Sequence, residues 1–592
     1  MIRNPRRLRQ VFALGVAAVL LAGPALPQDA SQPFDRWGVD LAGRNTGVRP
    51  GDDFNTYANG TALDRLAIPA DRSSYGVDAV ISENVQQRLR GLLEAPAAAG
   101  GAAVSDPDKA RILYQAFTDQ PRIEALAATP LGPDLAAVRA AGSREALAAL
   151  MGASLAGFQA SIFNLDIEPD AKSPDRYVAN ISQSGLGLPD RDYYLNADFA
   201  AQKASYRAYV AQMLTLAGWP DAQAQADGIV AFETAIAQAS WAREDERDPN
   251  KTYNPTTPAE LASSAPGFAW ADFLTAAGLG GRPKLILQEN TAIPRLAAVY
   301  AKTPLETLKA WAAFHLADNA APYLASSFDQ ANFAFHEGVL QGQPTERARW
   351  KRGVTLVDEN MGEALGQLYV DKYFPPEAKA KITALVADLR TALVARFQNV
   401  DWMSDATKAR AVEKLSKLTV KVGYPDHWRD YGRLAIVPGD LYGDVARARA
   451  FDWERQLRRI DGPVDRAEWG MTPQTVNAYY NGTGNEIVFP AAILQSPYFD
   501  VGFDAASNYG SIGATIGHEI THGFDDEGRD FDGTGALVNW WTPEDGPKFD
   551  ARAARLALQY DAYAPYPGAH VNGKLTDGEN IADLRTALVA RF

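Results

Sequence analysis

His518-Glu519-Ile520-Thr521-His522 places two imidazoles four positions apart with a carboxylate between them. That spacing calls for a helix, because residues i and i+4 share one helix face and both rings then reach a single cation. Glu519 falls beside that cation, where a carboxylate can take a proton from a bound water. The chain holds only six histidines: His315, His336, His427, His518, His522 and His570. Against that scarcity, a surface helix that happens to carry two histidines is the weaker reading.

A catalytic zinc site usually has three protein ligands and one open position for water. The third ligand is expected at Glu579, within Asp577-Gly578-Glu579-Asn580-Ile581-Ala582-Asp583. Thr576 or Asp577 can cap a helix there, which puts Glu579 and Asp583 on one face. Glu579 then binds the metal, while Asp583 accepts the outer N–H of His518 or its neighbour and fixes that ring. Asp525 is a second candidate for the orienting role. Alone, such a pair of acids would read as a solvated helix face; beside the histidine motif, metal ligation is favoured.

At 592 residues the chain is too long for one compact core, so two or more domains are expected. Hydrophobic residues at 46% and charged residues at 22% describe a globular protein and exclude wholesale disorder. Arg3, Arg6, Arg7 and Arg9, the apolar run Val11 to Ala22 and Gly23-Pro24-Ala25 read as an export signal over residues 1–25. The run is short of the roughly 20 residues of a membrane span. Removing it takes away four arginines and no acid, so the formal charge goes from −14 to −18 (−14 − 4). A surface that acidic argues against nucleic acid or anionic lipid as partner. With no cysteine, there is no disulfide and no thiolate metal site. A periplasmic or secreted protein without a stable membrane span fits these features.

The expected fold is mainly α with a smaller α/β part. Residues 34–76 read as an N-terminal segment of turns and short helices, and 77–434 as a mainly helical domain. Within the latter, Ala95–Ala103 reads as a loop and Pro376–Phe397 as a long helix. Residues 435–592 read as the metal-bearing domain. There, Thr475 to Tyr480, the turn Asn481-Gly482-Thr483-Gly484 and Glu486 to Phe489 predict a β-hairpin. A helix starting near Ser511 follows, and Thr542-Pro543-Glu544-Asp545 marks another helix start.

His518-Glu519-Ile520-Thr521-His522-Gly523-Phe524-Asp525, with Gly578-Glu579-Asn580-Ile581-Ala582-Asp583, resembles the neprilysin and endothelin-converting-enzyme family of zinc metallopeptidases. Asn477-Ala478-Tyr479-Tyr480-Asn481 resembles the family's substrate-binding edge strand. Asp52-Asp53-Phe54, Ile68-Pro69-Ala70, Leu188-Pro189-Asp190-Arg191-Asp192-Tyr193-Tyr194 and Trp540-Trp541-Thr542 extend the likeness over about residues 34–583. The resemblance implies a thermolysin-like catalytic domain facing a large helical domain across a closed chamber that admits oligopeptides and excludes folded proteins. It implies one Zn2+ per chain and cleavage on the amino side of hydrophobic residues. Asn477 and Ala478 would hold the peptide backbone as an added strand, and Glu519 would carry the proton to the leaving amine.

One departure stands out. Residues 582–592 repeat residues 387–397 letter for letter. The family continues past Asp583 with small glycines and helices carrying an oxyanion-stabilising histidine and a substrate-gripping arginine. Here Arg585 and Thr586 occupy the glycine positions and the sequence stops at Phe592. It reads as a recombined or misassembled end, with His427 and His570 as structural residues. Loss of one oxyanion donor costs about a hundred- to a thousandfold in turnover, so weak activity is expected. The alternative is an inactive zinc- or peptide-binding protein.

Overall fold

The computed structural model describes residues 40–95 and 104–589, with side chains to residue 584. The expected signal at 1–25 lies outside the described residues, as does most of the expected loop Ala95–Ala103. No helix among the described residues is long and apolar enough to cross a membrane.

Helices dominate, as expected, but a sheet interrupts them. Strands β1 (Phe163–Asp170) and β2 (Ser173–Gln183) form an antiparallel hairpin. β4 (Leu285–Leu287) runs parallel to β2, and β3 (Asn254–Thr256) closes the order β1-β2-β4-β3. The region from Val77 to Phe397 is therefore not wholly helical. Phe163, Leu165 and Ile167 are buried while the alternate Asn164 and Glu168 are exposed, the period of two that a half-buried strand requires.

Behind this sheet, Glu233 is fully buried in the helix Ala222–Ala239. Its carboxylate accepts from Tyr194 Oη at 2.7 Å, Tyr206 Oη at 3.0 Å and Trp311 Nε1 at 3.1 Å, with His315 Nε2 at 2.7 Å. Four donors from three helices thus satisfy one buried acid, and His315 is accounted for as structure.

Among the helices of the second half, five bear on the site: α1 (Pro376–Gln398), α2 (Asp405–Ser416), α3 (Ile512–His522), α4 (Asp545–Asp561) and α5 (Asp577–Val589). The expected long helix, the helix at Ser511 and the start near Asp545 are all present. A second sheet has the order β5-β7-β6, from β5 (Thr419–Gly423), β6 (Tyr479–Asn481) and β7 (Glu486–Pro490). β7 is buried along its whole length between parallel β5 and antiparallel β6. The hairpin is present, but its first strand begins at Tyr479; Thr475 to Ala478 lead into it without ladder bonds. β6 is an edge strand, paired with a strand on one side only.

Replacing Glu233 by Leu would leave the Tyr194, Tyr206 and Trp311 donors without an acceptor in a dry interior. Urea unfolding should show a loss of about 3–5 kcal/mol, and a loss under about 1 kcal/mol would show that the network contributes little.

Candidate metal centre

α3 is amphipathic in a way that aims the histidines. Ile512, Ile516 and Ile520 recur every fourth residue and are buried, so the helix lies on its isoleucine face. His518 and His522 project from another face, each with a side chain about one-fifth exposed. α5 packs beside α3 and brings in Glu579. His518, His522 and Glu579 each offer a ligand atom, and these atoms lie within 4.8 Å of one another.

The tautomers follow from the outer contacts. His518 Nδ1 lies 2.8 Å from Asp583 Oδ1, and His522 Nδ1 lies 2.7 Å from Asp525 Oδ2. An ionised carboxylate only accepts, so each Nδ1 carries hydrogen and, in the neutral ring, each Nε2 keeps its lone pair. The two Nε2 atoms face each other at 3.0 Å, and Glu579 Oε2 stands 3.2 Å from the first and 3.8 Å from the second. Three electron-pair donors pointed at one spot call for a positive charge among them, a proton or a metal ion. Two Zn–N bonds of about 2.0–2.1 Å at a tetrahedral angle put the nitrogens about 3.3 Å apart. The donor set fits the ion.

The charges agree with that geometry. Burial alone would lower the His518 value, but Asp583 and Glu579 overcome it and raise it to about 10. Burial likewise opposes His522, whose value Asp525 raises. The His518 hydrogen bond holds the Glu579 carboxyl below its ordinary value. The site draws positive charge. Burial also raises Glu519, 6% exposed at the cavity wall, against the pull of His522 and His518.

The residues singled out from sequence come together here. His518, Glu519, His522 and Glu579 line one cavity of about 490 Å³ with Asn477, Ala478, Tyr479 and Tyr480. Asn477 is exposed into it and Ala478 is buried. Asp525 and Asp583 lie just behind the rings. His570 sits elsewhere, its Nδ1 3.0 Å from the Asp561 carbonyl oxygen, and His427 lines a different cavity.

Sequence reasoning missed what holds the loop after α3. Lys414, on α2, is buried and donates from Nζ to the carbonyl oxygens of Gly523 at 2.7 Å, Gly528 at 2.6 Å and Phe531 at 2.6 Å. It has no carboxylate contact; burial pulls its value down to about 7. The loop turns tightly beneath the helix end: a Cβ at Gly528 would sit 1.8 Å from the His522 carbonyl oxygen, so this position needs glycine. Asp525 Oδ1 accepts from the Glu527 and Gly528 backbone N–H groups at 2.9 and 2.7 Å, which fixes the acid that fixes His522.

Two histidines one helical turn apart, a carboxylate from a later helix beside them, an edge strand alongside and a buried carboxylate in the cavity wall make up the arrangement expected of a gluzincin-type metallopeptidase. Models of peptidase family M13 match residues 50–425 and 477–591, and the chain belongs to that family. It is 32% identical to endothelin-converting enzyme-like 1 of Mus musculus, over 97% of this chain and 79% of that protein. It superposes on the inhibitor complex of Mycobacterium tuberculosis zinc metalloprotease Zmp1 with TM-score 0.90 at 41% identity, covering 93% and 85% of the two chains. Against the same metalloprotease in its open state the TM-score is 0.72, at 42% identity, covering 92% and 86%. The protein is a metalloendopeptidase of the neprilysin and endothelin-converting-enzyme group, and its family is zinc-dependent.

Lys414→Met should cost about 3 kcal/mol or more in urea unfolding, because three main-chain carbonyls beneath the helix end lose their shared donor. An unchanged midpoint would show that water replaces the ammonium.

Proposed function

We propose that the chain is an oligopeptidase holding one zinc ion through His518 Nε2, His522 Nε2 and Glu579. The observation that carries this is the convergence of those three donors, each Nδ1 being committed to an acid. When bound, the ion supplies Lewis acidity toward a peptide carbonyl and toward a water. Asp583 and Asp525 hold the imidazoles in the tautomer that leaves Nε2 free. Glu519 holds a proton at its carboxylate and passes it to the leaving nitrogen, and its raised value suits that exchange. Asn477 and Ala478, at the entry to the free edge of β6, take the peptide as an added strand.

In this reading, cleavage falls on the amino side of hydrophobic residues. The segment 34–76 leads into a helical domain, 77–434, which faces the catalytic residues from 435 onward across a chamber for oligopeptides. Residues 1–25 direct export to the periplasm or beyond. A second reading, zinc and peptide retention with little turnover, is favoured by the cavity lining. Among its described residues there is no arginine or lysine, and the side-chain donors beyond His518 and His522 are the neutral Asn477, Tyr479 and Tyr480.

Metal analysis of the purified protein should give one zinc per chain, lost in His518→Ala, His522→Ala and Glu579→Ala. Undiminished zinc in those variants would refute the ligand assignment. Glu519→Gln should keep zinc and lower turnover of a quenched peptide about a hundred- to ten-thousandfold. If the parent cleaves no peptide and Glu519→Gln changes nothing, the second reading holds. Replacing the hydrophobic residue after the scissile bond by Ala should reduce kcat/KM about tenfold or more; equal rates would exclude the specificity.

A further inference from the structure

The segment Arg243–Tyr253, matched by the first family model, reaches across to residues matched by the second. Arg247 Nη2 lies 2.9 Å from Asp526 Oδ2 and 2.8 Å from Glu527 Oε1, both on the loop that follows His522. Asn250 Nδ2 donates to Asp530 Oδ2 of the same loop at 2.8 Å. The guanidinium also lies against the start of α5. A Cβ on Gly578 would stand 3.0 Å from Arg247 Nη2, 2.8 Å from Asp526 Oδ1 and 3.1 Å from Asp525 Oδ2.

One cation from the first half thus touches both elements that carry the metal donors of the second. On one side is the loop whose Asp525 orients His522; on the other is the helix turn whose next residue is Glu579. Asp525, Asp526, Glu527 and Asp577 crowd this spot. Asp526 Oδ1 and Asp577 Oδ1 are buried without a hydrogen-bond partner, so these acids repel one another with little local relief. Arg247 and Asp526 side chains are each 26% exposed, which leaves the pair only partly screened.

We propose that Arg247 is a positioning residue: it fixes the His522 loop and the Glu579 helix against each other, so that metal retention depends on the first half of the chain being docked on the second. This rests on the assignment of His518, His522 and Glu579 as ligands. The docked arrangement is the one that superposes on the inhibitor-bound metalloprotease at 0.90, against 0.72 for its open state.

The bare charge of Arg247 would act in the opposite sense, since a nearby cation disfavours a divalent ion. The two effects separate by substitution. Zinc dissociation constants are measured by chelator competition on the full chain for Arg247→Gln, Arg247→Lys, Asp526→Asn and the double variant Arg247→Gln/Asp526→Asn. Positioning predicts weakening by about tenfold in both single Arg247 variants, a similar loss in Asp526→Asn, and no further loss in the double variant. Tighter binding in Arg247→Gln with Arg247→Lys unchanged would reduce Arg247 to a plain charge and overturn the proposal. So would dissociation constants within twofold of the parent in variants whose metal-free unfolding is merely shifted. Should Arg247→Gln fail to fold, Asp526→Asn against the parent decides by the same tenfold criterion. His518→Ala serves as control: if it binds zinc like the parent, the ligand assignment fails instead.

Discussion

Two imidazole nitrogens and a carboxylate oxygen held within a few ångströms of one another is an arrangement that demands a positive charge at its centre. Nε2 of His518 and Nε2 of His522 stand 3.0 Å apart, and neither ring can turn away without breaking its bond to Asp583 or Asp525. Asp525 is in turn held by two backbone N–H groups of the loop it begins. Each level of the site is therefore fixed by the next one out. The repulsion at the centre becomes affinity for a cation because the surrounding hydrogen bonds prevent relaxation.

The same logic explains the buried charges farther out. Glu233 and Lys414 are both enclosed, and neither sits in a simple ion pair with the opposite sign of fixed charge. Glu233 collects hydroxyl, indole and imidazole donors from neighbouring helices. Lys414 collects three main-chain oxygens from one loop. In each case a charge is made tolerable by oriented dipoles, which gives direction as well as compensation. The lysine thereby shapes the loop that ends the histidine helix, and its Nζ also lies over the rings of Tyr480 and Phe524 at 5.7 and 5.4 Å. Edge strand, loop and α2 meet on that one ammonium.

This difference in construction decides what could be read from the amino-acid sequence. His518, Glu519 and His522 announce themselves because the helix period brings them together, and Glu579 and Asp583 share the same kind of local spacing. Lys414 and Arg247 show no such spacing. Their partners lie 109 to 117 and 279 positions away, and a lone cation has no local pattern to betray it. The β1–β4 sheet was hidden for a related reason. Its one long hairpin, β1 and β2, stands alone among helical stretches, and β3 and β4 hold only three residues each. The start of β6 moved from Thr475 to Tyr479 because β-prone residues form ladder only where β7 is opposite to pair with them.

The repeated undecapeptide shows how far local sequence reaches and where it stops. Ala387-Asp388-Leu389 in α1 and Ala582-Asp583-Leu584 in α5 are the same letters, and both are helical, as propensity requires. Their burial is opposite. Leu389 is 3% exposed and Ala387 lies outside, whereas Ala582 is fully buried and Leu584 is 55% exposed. The helices present different faces to their neighbours because α1 is drawn in by the Leu385, Leu389, Leu393 and Phe397 stripe, and α5 by Ile581 and Ala582 beside α3. The aspartates diverge with them: Asp388 accepts the Tyr509 hydroxyl at 2.5 Å, and Asp583 holds the outer nitrogen of His518. An identical side chain in an identical helical segment thus lies against the candidate metal centre in one place and makes a surface contact in the other, through the company the packing gives it.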